Sequence, residues 1–341
     1  MALRTLSSVP ARAGGALPAV ATAASSSARS VSSSAPRQTE AEHDQHRVRV
    51  APNTAASNGS HKVEHKTAAA GGHSKRTLPS FSMDGKVCVV TGAGRGLGNE
   101  MARTLVQSGA NELVVLDLVE EQAAAAAKEI EESFVSQGLA PPGEITAVGI
   151  GCDVANEESV KAAFQRIKDL FGRVDALVTA AGIVHNYTAE EYPTEKIRQL
   201  MDINVMGTWF CALEASKLMP NGGSIILIGS MSGSIVNIPQ PQTPYNFSKS
   251  AVRHMGRSLA VEWAKRDIRV NVISPGYMCT ALTKAVLATN PILDSAWHSA
   301  IPVGRMGDPA DLGGAVVYLA SDASRYTTGS EIVIDGGYTA V

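Results

Sequence analysis

Tyr245 and Lys249 stand four residues apart in Tyr245-Asn246-Phe247-Ser248-Lys249, a spacing that puts both side chains on one face of a helix. An ammonium close to a phenol favours the phenolate and draws its pKa down from ~10. A phenol tuned in this way exchanges a proton with a substrate hydroxyl near neutral pH. A second chemical signal lies upstream, in Thr91-Gly92-Ala93-Gly94-Arg95-Gly96-Leu97-Gly98. Glycines there let the backbone turn tightly against a pyrophosphate, and the helix that follows points free N–H groups at the anion. The spacing departs from G-x-G-x-x-G and reads T-G-x-x-x-G-x-G. Gly92, Arg95, Gly96, Leu97 and Gly98 are therefore expected to hold a dinucleotide. Asp117 follows Gly98 by nineteen residues. A carboxylate there accepts both hydroxyls of an adenosine ribose and repels a 2′-phosphate. Arg95, a cation beside the turn, argues the other way, so NAD is the expected cofactor and NADP the alternative. Asp153, in Cys152-Asp153-Val154, is placed either to meet the adenine amino group or to cap the next helix.

The elements that must position these residues are legible from residue 78 onward. Apolar, β-branched runs at 87–91, 113–117, 145–152, 176–179, 224–228, 270–274 and 332–335 read as strands buried on both faces. Helical stretches lie between them at 97–108, 119–137, 157–171, 194–218, 245–265 and 309–320. Strict alternation of strand and helix implies an α/β fold, a single Rossmann-type, doubly wound parallel sheet of about seven strands with helices on both faces. The glycine turn sits between the first strand and first helix, the context a dinucleotide site demands.

Composition narrows the function further. The chain has 341 residues and a formal charge of 30 − 32 = −2, which gives no support to a nucleic-acid partner. It has no run of eighteen apolar residues, so membrane insertion is not expected. Cys88, Cys152, Cys211 and Cys279 are far apart, without C-x-x-C, and read as reduced thiols with no metal site. Residues 1–76 hold ten Lys/Arg and four Asp/Glu, against twenty and twenty-eight in the remainder. Residues 1–39 are rich in Ala, Ser and Arg and contain no acid, the composition of a mitochondrial transit peptide. A disordered extension on a cytoplasmic protein is the competing reading. Residues 40–78 read as a flexible linker and 79–341 as the folded domain.

These motifs, in this order, resemble the short-chain dehydrogenase/reductase family over about residues 81–341. The resemblance rests on Thr91–Gly98, Ala181-Gly182, Asn204, a serine before Tyr245, the Tyr245/Lys249 pair, Pro275-Gly276 and Asp335-Gly336-Gly337. It implies that Tyr245 is the general acid/base and that Lys249 lowers its pKa and binds the nicotinamide ribose. Asn204 is implied to hold a water that relays protons, and a serine hydroxyl to steady the substrate oxygen. Ser232 lies thirteen residues before Tyr245, the commonest family spacing, and Ser230 fifteen. Ser230 is preferred because Gly233 completes an S-x-x-G pattern and the loop at 235–242 accounts for two extra residues. Asp153, Val154, Ala181, Gly182, Pro275, Gly276, Met278 and Thr280 are the further cofactor contacts the resemblance implies. One departure stands out: the family's N-N-A-G is Thr179-Ala180-Ala181-Gly182 here. A homotetramer is also implied.

The expected substrate follows from the lining. Asn237, Gln240 and Gln242 place amides near Tyr245. Amides offer both donors and acceptors, which suits a ligand with several hydroxyls. An acyl-chain or steroid pocket is instead lined mostly by apolar groups. Ser230, Asn237, Gln242 and His185 are the expected substrate contacts, and residues 281–300, with Trp297, the expected lid. The loop resembles that of the family's sugar-alcohol branch, which implies a polyol/ketose pair, D-arabinitol and D-ribulose first. The alternatives are an NADP-linked sorbose- or mannitol-type reductase, a reductase of an acyl or steroid carbonyl, and a non-enzymatic nucleotide-binding scaffold.

Overall fold

A computed structural model describes residues 78–341. The expectations for 1–39 and, Leu78 apart, for the linker lie outside the described residues. The strands are β1 Val87–Thr91, β2 Glu112–Asp117, β3 Thr146–Gly151, β4 Ala176–Thr179, β5 Gly223–Ile228, β6 Ile268–Pro275 and β7 Glu331–Ile334. They form one parallel sheet in the order β3-β2-β1-β4-β5-β6-β7. The expected doubly wound architecture is thus observed. The strand order reverses between β1 and β4, which opens a crevice at their carboxyl ends.

Side-chain alternation explains why the strands read as continuous apolar runs. Cys88 and Val90 of β1 and Leu113 and Val115 of β2 face one core, with helices α1 Gly96–Gln107 and α2 Glu120–Ser136. Val89, Val114 and Leu116 face the other, with α3 Glu157–Phe171. Every residue of β1 and β4 is buried, as a sheet covered on both faces requires. The four cysteines are free thiols.

Two expected elements differ. The stretch 194–218 is not one regular helix. It runs as α4 Thr194–Met201, a π-helical segment Asp202–Gly207 and α5 Thr208–Lys217. The wider turn falls on Asn204, and widened turns of this kind recur at functional positions. The stretch 309–320 begins as a 3-10 turn, Pro309–Leu312, before the helix at Gly313–Ala320. The long helix α6, Thr243–Trp263, carries Tyr245 and Lys249, and two short helices, α7 Ala281–Ala288 and α8 Pro291–Ala300, occupy the expected lid.

Candidate active site

The glycine turn closes against the start of the next crossover. A methyl group built on Gly92 would lie 2.7 Å from the Ala181 Cα, and one on Gly98 would lie 2.3 Å from the Gly92 carbonyl oxygen. The altered T-A-A-G stretch therefore still packs directly on the turn, helped by Ala181 N–H donating to Thr91 Oγ1 at 3.1 Å. Arg95, at the cap of α1, makes no side-chain cap bond, so the first N–H groups of the helix have no side-chain acceptor there. A methyl on Gly96 would meet nothing within 4 Å. Asp117 holds the far side, accepting Gly94 N–H at 2.8 Å and Leu118 N–H at 2.8 Å. Open backbone, uncapped donors and a carboxylate at the second strand's end fit a dinucleotide's pyrophosphate and ribose.

The other expected cofactor contacts occupy defined places. Asp153 Oδ1 accepts Ala155 N–H at 3.0 Å, while Asn156 caps α3. Val154 fits against Gly207 of the π segment. Gly276 N–H donates to Ile334 O at 2.9 Å. Met278 is buried, and its carbonyl accepts from Thr280 N–H. The Thr280 hydroxyl accepts Thr283 N–H at 3.2 Å and so caps α7.

Tyr245, Lys249, Ser230 and Asn204 converge beyond β4 and β5. Lys249 is buried, and its Nζ donates to Ile228 O at 2.9 Å. Burial pushes the amine down to about 8. Its Nζ lies over the Tyr245 ring, 5.7 Å from the centroid. Burial raises the Tyr245 phenol above its ordinary value, and a hydrogen bond with the Ser230 hydroxyl draws it back. The Lys249 amine is itself desolvated, sits over the ring face and bonds to the Ile228 carbonyl. Ser230 Oγ accepts Ser232 N–H at 3.1 Å, which leaves its own proton for an oxygen beside Tyr245. Ser232 Oγ instead accepts from Gln242 at 3.2 Å. The geometry thus brings Ser230, rather than Ser232, to the phenol.

Asn204 is fully buried and clips the chain after β4 in both directions. Its Nδ2 donates to Ile183 O, and its Oδ1 accepts Ile183 N–H, both at 2.9 Å. Nδ2 also reaches Ser248 Oγ on the catalytic helix at 3.2 Å. A methyl on Gly182 would lie 3.2 Å from Asn204 Oδ1 and 3.7 Å from Lys249 Nζ, so Gly182 walls the same small space.

The expected substrate contacts divide. Asn237 and Gln242 are 4% and 7% exposed. Gln242 Nε2 donates to Asn237 Oδ1 at 2.9 Å and to Asn246 Oδ1 at 3.0 Å, and Asn237 Nδ2 donates to the Tyr277 hydroxyl at 3.1 Å. The loop folds back so that its buried amides satisfy one another. Both residues therefore frame the pocket through protein partners rather than presenting free amides. His185 Nε2 is buried without a hydrogen-bond partner, and its ring lies 6.4 Å from that of Tyr187.

The amide of Gln240 and the lid residue Trp297 are joined through Tyr277, which the sequence reading did not place at the site. Gln240 Nε2 donates to the Tyr277 hydroxyl at 2.7 Å, and its Oε1 accepts Trp297 Nε1–H at 3.1 Å. Tyr277 and Trp297 stack at 4.1 Å. This ties α8 to the turn after β6 and to the 235–242 loop. Arg253, one helical turn beyond Lys249, packs beneath the Ser230 turn; its i+4 spacing from Lys249 was the available signal. Among the described residues, no group of three or more His, Cys, Asp or Glu is arranged to hold a metal ion, and no helix is long and apolar enough to cross a membrane.

Comparison with known proteins agrees with this geometry. Residues 92–339 match the family model described as enoyl-(acyl carrier protein) reductase. The ribulose-forming D-arabinitol 2-dehydrogenase of Candida tropicalis is 42% identical over 270 residues, 76% of this chain and 95% of the relative. An NADP-dependent mannitol dehydrogenase of Hypocrea jecorina is 37% identical, over 77% of this chain and 96% of the relative. A short-chain dehydrogenase/reductase crystal structure from Mycobacterium marinum superposes with a TM-score of 0.69 at 37% identity, covering 77% of this chain and 98% of that one.

The buried amine gives a pH signature. Below about 8 both folded and unfolded states keep the Lys249 proton; between about 8 and the ordinary 10.5 the unfolded state binds it more tightly. Stability therefore rises with pH across that window. Relative to a Lys249→Met variant, the cofactor-free parent is expected to show a flat melting-temperature difference below pH 8 and a rising one from pH 8 to 10. A difference that stays flat to pH 10 would contradict the desolvated amine.

Proposed function

The chain belongs to the short-chain dehydrogenase/reductase family, and we propose that it interconverts a polyol and its ketose, D-arabinitol and D-ribulose first, with NAD as its cofactor. The observation that carries the chemistry is the convergence of the Tyr245 phenol, the Ser230 hydroxyl and the Lys249 amine. Gly92–Gly98, Asp117, Asp153 and the Pro275-Gly276 turn are the residues that would hold the dinucleotide. When bound, an oxidised nicotinamide supplies the hydride acceptor and a positive ring charge.

The chain's own residues handle the proton. In the oxidation direction Tyr245 gives up its phenolic proton inward, toward the neutral form of the Lys249 amine. Its phenolate Oη takes the proton of the substrate hydroxyl while the carbinol carbon gives up its hydrogen with both electrons. Ser230 donates to the substrate oxygen and fixes its position. Lys249, brought down to about 8 by burial, accepts and returns protons on the phenol's inner side. Asn204 bounds that relay on the side of Ile183. In the reverse direction the same phenol gives its proton to the ketose oxygen.

Relatives named for sugar alcohols support a polyol over an apolar ketone; the amides of Asn237, Gln240 and Gln242 are engaged within the protein and shape the loop. The Candida tropicalis relative is named for a pentitol. Asp117 supports NAD, because its carboxylate stands against the glycine turn where a 2′-phosphate would add negative charge. Arg95, exposed at the cap of α1, favours an NADP-linked ketose reductase as the second reading.

Initial rates with pentitols and hexitols, each with NAD and NADP, test the reading. D-arabinitol with NAD is expected to give the highest kcat/KM. Turnover of apolar ketones with none of any polyol would overturn it. Tyr245→Phe is expected to lower kcat by about 10²–10⁴ and leave NADH binding nearly unchanged; parallel loss of NADH binding would assign the ring a structural role. Asp117→Ala is expected to shift the NAD/NADP preference toward NADP by roughly tenfold or more. An unchanged preference would mean that the ribose is read elsewhere.

A further inference from the structure

We propose that Arg253 is a positioning residue for the catalytic turn: together with Glu331 and Ser274 it forms an internal clamp that fixes where the Ser230 hydroxyl stands relative to Tyr245. Three elements meet in this clamp. Arg253 comes from α6, one turn beyond Lys249; Ser274 comes from β6 and Glu331 from β7. Arg253 Nε donates to Glu331 Oε1 at 2.6 Å, and Ser274 Oγ donates to the same carboxylate oxygen at 2.6 Å. The other arm of the guanidinium, Nη1, donates to the Gly233 carbonyl at 2.6 Å.

Gly233 ends the short turn that Ser230 begins, and its N–H donates back to Ser230 O at 2.9 Å. The clamp reaches the opposite side of Ser230 as well. A methyl built on Gly229 would lie 2.6 Å from Ser274 Oγ and 3.5 Å from Arg253 Cγ, and one on Gly233 would lie 2.8 Å from Arg253 Cδ. Both residues that bracket the Ser230 turn thus rest on Arg253, and Gly229 rests on Ser274 as well. Ser250 Oγ also donates to Gly233 O, at 2.7 Å, so the carbonyl is held from two successive turns of α6.

The pair is substantially shielded, with side-chain exposures of 22% for Arg253 and 10% for Glu331. Burial pushes the Glu331 carboxyl up, but the bonds from Arg253 and Ser274 outweigh it and hold the group below its ordinary value. The carboxylate therefore stays charged and keeps the guanidinium oriented. A planar fork serves two acceptors at fixed angles, which a lysine ammonium on a thinner, more flexible stem does not reproduce. Pinning the turn from below matters because a catalytic hydroxyl displaced by about 1 Å loses on the order of a hundredfold in rate. Arg253 touches neither the phenol nor a reacting atom; it acts through Gly233 and Gly229.

The test is a double-mutant cycle between the clamp and the hydroxyl it positions. Arg253→Met is expected to lower kcat by about ten- to a hundredfold, with the NADH dissociation constant within about twofold of the parent. In a Ser230→Ala background, the same change is expected to alter kcat by less than about twofold, because the hydroxyl to be positioned is gone. Arg253→Lys is expected to keep the parent melting temperature and still lose kcat. If Arg253→Met does not fold, Glu331→Gln, which keeps shape and removes the charge, takes its place in the cycle. Rates are read with D-arabinitol and NAD, or with whichever polyol or ketone the parent turns over fastest, so the outcome does not depend on the substrate assignment. Equal losses in the parent and Ser230→Ala backgrounds, an unchanged kcat, or full rescue by Arg253→Lys would overturn the proposal.

Discussion

Desolvation of the Tyr245–Lys249 pair is the constraint to which the rest of the structure answers. The Lys249 amine is buried and the Tyr245 ring beside it half-buried, and groups withdrawn from water resist carrying charge. Burial lifts the Tyr245 phenol and pushes the Lys249 amine down. Their ordinary values, roughly 10 and 10.4, move apart, and the amine reaches the range in which it exchanges protons near neutral pH. The phenol depends on its neighbours to ionise. The Ser230 hydroxyl is the group that already favours the phenolate. Whatever holds Ser230 in place therefore bears on the acid/base chemistry, even from the far side of its turn.

The fold supplies this space at the point where the strand order reverses, between β1 and β4. One wall is the glycine turn, pressed onto Ala181 so closely that a Cβ on Gly92 would collide with backbone. Another is Gly182, between Asn204 Oδ1 and Lys249 Nζ. The π-helical segment Asp202–Gly207 brings Asn204 inward, and its amide fastens the chain at Ile183. On the substrate side the Tyr277–Trp297 stack and the Gln240 amide tie α8 to the loop that leads into α6. The phenol is thus approached by a floor of closely packed glycines and by a roof built from amides and aromatic rings.

Much of this was legible in the residues. Strands buried on both faces leave unbroken apolar runs, so β1, β2 and β4 could be placed within a residue. The glycine turn and the Tyr–Lys spacing are local patterns, and local patterns survive in sequence. What lay beyond reach depended on three-dimensional neighbours. Nothing in 194–218 announces that the helix widens at Asn204. Asn237 and Gln242 have the composition of polyol ligands, yet the loop folds their amides onto Ser232, Asn246 and Tyr277. Spacing alone could not decide between Ser230 and Ser232. The direction of two hydrogen bonds did, since one hydroxyl receives a backbone N–H beside the phenol and the other receives Gln242. The sign of the Tyr245 shift also needed coordinates, because a lysine four residues away helps a phenol ionise only as far as its own charge survives burial.

The account turns on the phenol, and its ionisation can be observed directly. In the cofactor-free protein carrying ¹³Cζ-tyrosine, the Tyr245 resonance, assigned by its loss in Tyr245→Phe, can be followed against pH in the parent and in Ser230→Ala. Burial opposed by the Ser230 hydroxyl predicts a midpoint above the ordinary ~10 in the parent and a higher one in Ser230→Ala. A parent midpoint below 10, or one that Ser230→Ala leaves unmoved, would contradict it.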